Sequence, residues 1–184
     1  TPCIEYCIRN VEQIQEVDRV IYVTNNEGEK KYSRWLRELP KVKEHKLIVE
    51  PISTPDKSLG VAATINYSIL EERITEELLI IAPDNLFGFP LANLVRFHKE
   101  KQSNTLSVYL MRDKRKLKQH ANILCDENKR IFMFKEKPKQ PISNMINMFC
   151  FLLMPRTYRK LERYILGHKD PDRFGDFIES TLDD

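Results

Sequence analysis

The sequence predicts an α/β fold: a single domain over residues 1–184, with a mostly parallel sheet, helices on both faces and an antiparallel extension. Three observations predict it. Leu78-Leu79-Ile80-Ile81-Ala82 is a short apolar run without polar alternation, the pattern of a strand buried on both faces. Before it, β-branched runs alternate with stretches of helical spacing; after it, two short strands flank a polar connection of hairpin type. With 184 residues and 41% hydrophobic content, the chain can bury one sizeable core.

Taken in order, Ile4, Cys7, Ile8, Val11 and Ile14 recur at helical spacing and predict a helix from Pro2 to about Val17. Arg19 to Thr24 is a β-branched strand closed by a loop at Asn25-Asn26. Lys30 to Leu39 reads as a helix with Tyr32, Trp35, Leu36 and Leu39 inward, stopped by Pro40. Leu47-Ile48-Val49 is a short strand, and the loop from Pro51 to Ser58 leads into Leu59-Gly60-Val61-Ala62-Ala63. This small-residue helix start leaves N–H groups open to an anion or a planar base, although close packing on the sheet accounts for it as well. The helix runs to about Arg73, and the central apolar strand follows.

That strand delivers Asp84 and Asn85 to its carboxyl end, where ligand crevices of open α/β sheets lie. An acid there can hold a metal or a metal-bound phosphate; a plain turn explains the pair too. Pro90 opens a helix with Leu91, Leu94, Val95 and His98 inward, His98 being a surface or boundary residue rather than a ligand. Thr105–Met111, Ala121–Leu124, Arg130–Phe134 and Ile146–Met154 read as strands. Pro155–Leu166 is an amphipathic helix with Tyr158, Leu161 and Ile165 inward, and Phe174–Leu182 begins the last one.

The net charge of +3, from 30 basic and 27 acidic residues, is too mild to argue for nucleic acid but suits an anionic small molecule. The basic run Arg112–Lys118 lacks interleaved aromatics and reads as solvated surface. No apolar run approaches the ~20 residues that span a membrane. Cys3, Cys7, Cys125 and Cys150 form no Cys-x-x-Cys pair and read as reduced core residues of a cytoplasmic protein. Lys135-Glu136-Lys137-Pro138 ends a strand with an acid and a base, either a charged strand end or a grip on hydroxyls and phosphate. In the acidic segment Asp170–Asp176 a carboxylate can join Asp84 at a divalent ion, or simply complement a helix dipole.

Pro2-Cys3-Ile4-Glu5-Tyr6, Val20-Ile21-Tyr22-Val23-Thr24-Asn25, Leu59-Gly60-Val61-Ala62, Asp84-Asn85-Leu86-Phe87, Asp126–Ile131, Glu136-Lys137-Pro138 and Phe174–Ile178 occur in one order and spacing. In this the chain resembles the sugar-1-phosphate nucleotidyltransferases, in particular thymidylyltransferase-like and uridylyltransferase-like members, over essentially its whole length. The resemblance implies a nucleotide-diphospho-sugar transferase (Rossmann-like) fold. It further implies transfer of an NMP from an NTP, dTTP or UTP, to a sugar 1-phosphate, with Mg²⁺ as cofactor. By the same resemblance Asp84 binds Mg²⁺ and Asp176 is the second metal aspartate, with Asp172 as fallback. Glu136 contacts sugar hydroxyls, Lys137 the sugar phosphate, the backbone of Gly60 lies against the nucleobase, and Asn85 joins the substrate-binding set. The acceptor phosphate, with a second pKa of about 6, needs no general base. A homo-oligomer is left open.

The departures are Pro83, Ala121 and Phe149, where family members carry glycine. They leave a second expectation, a non-catalytic domain of this family with a regulatory or ligand-binding or partner-binding role. Family members also begin with a buried strand and a glycine-rich loop ahead of the helix matching Pro2–Val17. The expectation is therefore that the 184 residues are an N-terminally incomplete piece of the enzyme, with a gap in the sheet.

Overall fold

A computed structural model describes residues 2–51, 59–167 and 173–182. Among them the chain runs α1 (Cys3–Glu12), β1 (Arg19–Thr24), α2 (Asn26–Glu38), β2 (Glu44–Val49), α3 (Val61–Glu71), β3 (Leu78–Ile81) and α4 (Leu91–Lys101). It continues β4 (Thr105–Leu110), β5 (Asn122–Cys125), β6 (Ile131–Lys135), β7 (Met145–Leu153), α5 (Tyr158–Gly167) and α6 (Phe174–Ser180). The expected strand and helix order is present. Two local departures have local causes. Helix α2 starts earlier than expected because the Asn25 side chain accepts from Gly28 N at 3.0 Å, so the Asn25-Asn26 pair caps a helix instead of closing a loop. The basic run folds into a 3₁₀ segment, Lys114–Gln119, capped by Asp113 and anchored by buried Leu117.

Strands β1 and β2 pair in parallel from Arg19↔Glu44 to Thr24↔Val49. The other five strands form a second, antiparallel sheet in the order β3-β7-β5-β6, with β4 also on β7. Parallel pairing among the described residues is thus confined to β1–β2, because β3 hydrogen-bonds to β7 alone and an apolar cleft of about 1080 Å³ separates it from β1. All four residues of β3 are half-buried, not fully enclosed as their apolar run suggested.

Alternation along β7 shows how the second sheet is covered. Phe151 and Leu153 enter one core with Ala62 and Ile65 of α3, Leu161 of α5, and Phe174 and Phe177 of α6. Cys150 and Leu152 enter another with Val11 of α1, Ile14 just past it, and Leu91 and Leu94 of α4. Successive strand residues face opposite sides, so this partition places helices on both faces. In β3, Leu78 and Ile80 go to the first core and Leu79 and Ile81 to the second. A third cluster, Ile8, Tyr22 and Leu36, ties α1, β1 and α2.

His98 belongs to the interior, not to the surface or boundary expected for it. It is fully buried, its Nδ1 is 3.2 Å from Thr105 Oγ1, and its Nε2 is 3.6 Å from Glu77 Oε2. Burial pushes its pKa down against the pull of Glu77. Glu72, at the end of α3, is almost wholly enclosed and meets Arg19 of β1 at 3.0 Å and Lys46 of β2 at 2.7 Å, tying the parallel pair to the rest of the molecule.

Candidate functional site

The end of β3 presents Asp84 to solvent. Among the described residues its recorded hydrogen bond is a long one, 3.4 Å from Asn85 Nδ2, so its carboxylate oxygens keep most of their accepting capacity. The turn is held from two sides. Cys7 of α1 donates its thiol to Asn85 O at 3.2 Å, and Ala82 N donates to Phe149 O at 3.0 Å. Burial pushes the Cys7 thiol up, helped by the neighbouring Cys3 and Asp84, so it stays a protonated donor.

A second pole forms where β6 ends. Glu136 follows β6 directly and lies against the first turn of α6: a Cβ on Gly175 would collide with Glu136 Oε2. Only a glycine lets the carboxylate approach so closely. Burial raises the Glu136 pKa, Lys137 opposes this, Asp176 adds to it, and Arg173 again opposes. Lys137 Nζ lies 4.0 Å from Glu136 Oε1 and is otherwise open to solvent; Asp176 pairs with Arg173 at 3.1 Å. Lys137 also holds a left-handed backbone (φ 41°), uncommon for a lysine. The structure therefore brings Glu136, Lys137 and Asp176 together, with Gly175 as the reason they fit.

Gly60 is the N-cap of α3, buried and at φ 82°, a conformation that requires glycine. It opens on the same cleft as Ala82, Pro83 and Phe149. Glu50, just past β2, is 8% exposed and accepts from the hydroxyl of Thr64, one turn into α3. The rule that singled out Asp84, an acid at the carboxyl end of a strand, applies equally to Glu50, which the sequence reading passed over.

Phe149 stands between the two poles. Its carbonyl holds Ala82, two residues before Asp84, while its ring packs on Phe174, next to Gly175, with centroids 5.7 Å apart. Its backbone is left-handed (φ 45°), which explains why a glycine suits this position and marks a phenylalanine here as strained. Asp172 lies outside the described residues. Among those described, no three His, Cys, Asp or Glu side chains cluster as a metal cage. An exposed carboxylate such as that of Asp84 has the chemistry of a Mg²⁺ ligand, since the ion is commonly held by one or two protein carboxylates plus substrate phosphates.

Comparison with known proteins identifies the family. The chain is 22% identical over 127 residues to the glucose-1-phosphate adenylyltransferase of Ruminiclostridium cellulolyticum, covering 68% of this chain and 29% of that protein. It is 26% identical over 121 residues to the same-named protein of Clostridium botulinum, covering 65% and 31%. The chain thus spans about a third of the curated relatives it matches. A crystal structure of UDP-glucose pyrophosphorylase complexed with UDP-glucose superposes over 100% of this chain and 75% of that one, with a TM-score of 0.77 at 13% identity, and so shares the α/β fold. The model of the family described as nucleotidyl transferase matches residues 1–184, and the chain belongs to that family.

Proposed function

We propose that this chain forms the catalytic part of a sugar-1-phosphate nucleotidyltransferase, converting an NTP and a sugar 1-phosphate into an NDP-sugar and pyrophosphate. The observation that carries this reading is the convergence of Glu136, Lys137 and Asp176 on the end of β6, made possible by Gly175. An oxygen of the sugar phosphate attacks the α-phosphorus of the nucleotide. The new P–O bond forms as the bond to the β-phosphate's bridging oxygen breaks, and pyrophosphate leaves with the electron pair. Such a displacement depends on positioning and charge neutralisation more than on proton transfer.

Each residue then has a defined task. Lys137, its side chain mostly open to solvent, turns from Glu136 to the acceptor phosphate. Glu136 accepts from sugar hydroxyls in a half-buried site where such bonds gain strength. The N–H groups at the start of α3, past Gly60, receive the edge of the base, and Asn85 contacts substrate beside Asp84. Asp84 and Asp176 would hold Mg²⁺, Asp176 by exchanging its Arg173 partner. The ion supplies charge neutralisation on the phosphates. For the nucleotide, dTTP and UTP are proposed, with ATP beside them because the curated relatives are named adenylyltransferases.

Pyrophosphate release from UTP, dTTP or ATP with glucose 1-phosphate tests the reading. Asp84→Asn is expected to abolish Mg²⁺-dependent release while leaving the melting temperature within a few degrees; wild-type turnover by this variant would remove Asp84 from the site. Lys137→Ala is expected to weaken sugar-1-phosphate binding at least about tenfold, from a charge-assisted contact of roughly 1.5–3 kcal/mol, and to leave NTP binding nearly unchanged. Equal losses for both ligands would mean a folding defect instead.

One observation favours the second reading, a ligand-binding domain without turnover. Phe149 stands where family members carry glycine, lines the cleft with Gly60 and Pro83, and packs its ring on Phe174 at the start of α6. Nucleotide binding in a thermal-shift assay, with no pyrophosphate released from any pair, would select that reading.

A further inference from the structure

Strand β7 is irregular where it faces β4. Leu106 pairs with Phe151 and Val108 with Asn147, so the single residue Ser107 stands across from Met148, Phe149 and Cys150. Such a bulge interrupts the ladder on both strands and leaves backbone groups that must find other partners. The side chain of Asn147 takes up two of them. Its Nδ2 donates to Ser107 O at 3.3 Å, across the gap, and its Oδ1 accepts from Phe149 N at 2.9 Å, closing a local turn two residues on. Its own backbone N–H donates to Ala121 O at 3.1 Å, just ahead of β5. Asn147 therefore ties β7 to β4 and to the start of β5 while it shapes the bulge. What the bulge fixes is Phe149, whose left-handed backbone (φ 45°) persists only where its surroundings hold it. The Phe149 amide is held by Asn147, and the Phe149 carbonyl accepts from Ala82 N at 3.0 Å, two residues before Asp84. The Phe149 ring packs on Phe174, next to the Gly175 that admits Glu136. From Asn147 the contacts thus reach the Asp84 turn through one atom of Phe149 and the Glu136–Lys137 pole through its ring.

We propose that Asn147 is a positioning residue for the nucleotidyl transfer: it holds the β7 bulge in the conformation that sets the Asp84 turn and the Glu136–Lys137 pole at the separation in-line attack requires. The inference rests on the catalytic reading of those two poles given above. Asn147 acts through Phe149, without touching substrate. Bulges are frequent beside active sites for this reason, since they re-aim a strand without altering the strands around it. Removing the Asn147 side chain leaves every group of each pole in place, so each substrate still finds its contacts. Their relative placement is lost, and a displacement of about 1 Å between reacting groups can lower a rate about a hundredfold. The loss therefore falls on kcat and not on KM, the mark of an interaction that matters only in the transition state. A residue that served stability alone would leave kcat of the folded enzyme unchanged.

Two variants separate the bonds. Asn147→Ala removes both, whereas Asn147→Ser keeps a hydroxyl that accepts from the amide two residues on but is too short to span to Ser107. Pyrophosphate release from UTP, dTTP or ATP with glucose 1-phosphate is measured well below the melting temperature of each protein. Asn147→Ala is expected to lower kcat at least about tenfold with both KM values within about threefold of wild type, and Asn147→Ser to restore kcat to within about threefold. Amide hydrogen exchange gives a readout that needs no turnover. Exchange at Phe149 and Ala82 should speed up together by at least about tenfold in Asn147→Ala, stay near wild type in Asn147→Ser, and remain unchanged at Val20–Tyr22 of β1 in both. Unchanged exchange at Ala82 in Asn147→Ala, a serine variant no better than the alanine one, or a KM loss as large as the kcat loss overturns the proposal. So does a lowered melting temperature with wild-type kcat. If Asn147→Ala does not fold, the wild type decides: one shared opening gives Phe149 and Ala82 protection factors within about threefold of each other, and a difference of about tenfold overturns the coupling. A wild type that releases no pyrophosphate from any pair overturns the catalytic reading and the proposal with it. A wild type that turns over, with variants that miss these expectations, overturns the proposal alone.

Discussion

At the residue scale, Phe149 sets two preferences against each other. Its left-handed backbone costs an L-residue roughly 1–2 kcal/mol, while its ring gains edge-on contact with Phe151 at 5.2 Å and packs on Phe174. Phe149→Ala loses the ring and keeps the strain; Phe149→Gly loses the ring and relieves the strain. Both variants are expected to be less stable than the wild type in urea unfolding, with Phe149→Gly the better of the two by about 1 kcal/mol. The reverse order would contradict a left-handed backbone at this position. Glu136 carries a second conflict. Its pKa is raised in the folded chain, chiefly by burial, so the folded state holds its proton to higher pH than the unfolded state does. By linkage, stability falls as pH climbs from the ordinary carboxylate range through the raised value, and is flat above it. Glu136→Gln removes that dependence. Unfolding measured across the acidic range should show the wild type losing stability against the variant as pH rises; parallel curves would mean that the carboxylate is not paying for its burial.

At the scale of elements, the junction of β6 with α6 makes the pole that carries Glu136, Lys137 and Asp176. Lys135 pairs with Glu179 across the two elements, and Gly175 admits Glu136 into the first turn of the helix. The thiol of Cys150, on β7, is pushed up to about 12 by burial, so this strand crosses the interior as an inert apolar element. The junction of α1 with the β3 turn makes the other pole through the Cys7 hydrogen bond to Asn85. Both poles therefore rest on contacts between elements far apart in sequence.

At the scale of the whole molecule, Glu72 is a buried ionic link across the division between the sheets. Its carboxylate is 3% exposed, whereas Arg19 and Lys46 keep about a third and a half of their side chains in water. Removing one partner of a fully buried pair costs about 3–5 kcal/mol; with half-hydrated cations the loss for Glu72→Ala is expected at about 1–3 kcal/mol. Urea denaturation gives the value. Hydrogen exchange should in addition speed up at β1 and β2 more than at β5 and β6, and uniform acceleration would deny the link its local role.

The order of elements was legible in the sequence because hydrophobic periodicity is local: Arg19–Thr24, the apolar run ending at Ile81, and Pro90 ahead of α4 all mark their elements with neighbouring residues alone. The candidate residues Asp84, Glu136, Lys137 and Gly60 were legible from strand ends, a helix start and a family resemblance. Local pattern could not tell that β3 pairs with β7 alone among the described residues, that His98 is enclosed, or that Phe149 joins the two poles, since each depends on what packs from elsewhere in the chain. Gly175 shows the division most plainly. In sequence it is a small residue opening a helix; only the approach of Glu136 from the end of β6, to where a Cβ would stand, makes it a requirement of the site. Sequence by itself determined which segments become helix and strand, through periodicity and capping. Tertiary structure alone decided which edges stay open and which side chains meet, because those are set by long-range packing that no local window contains.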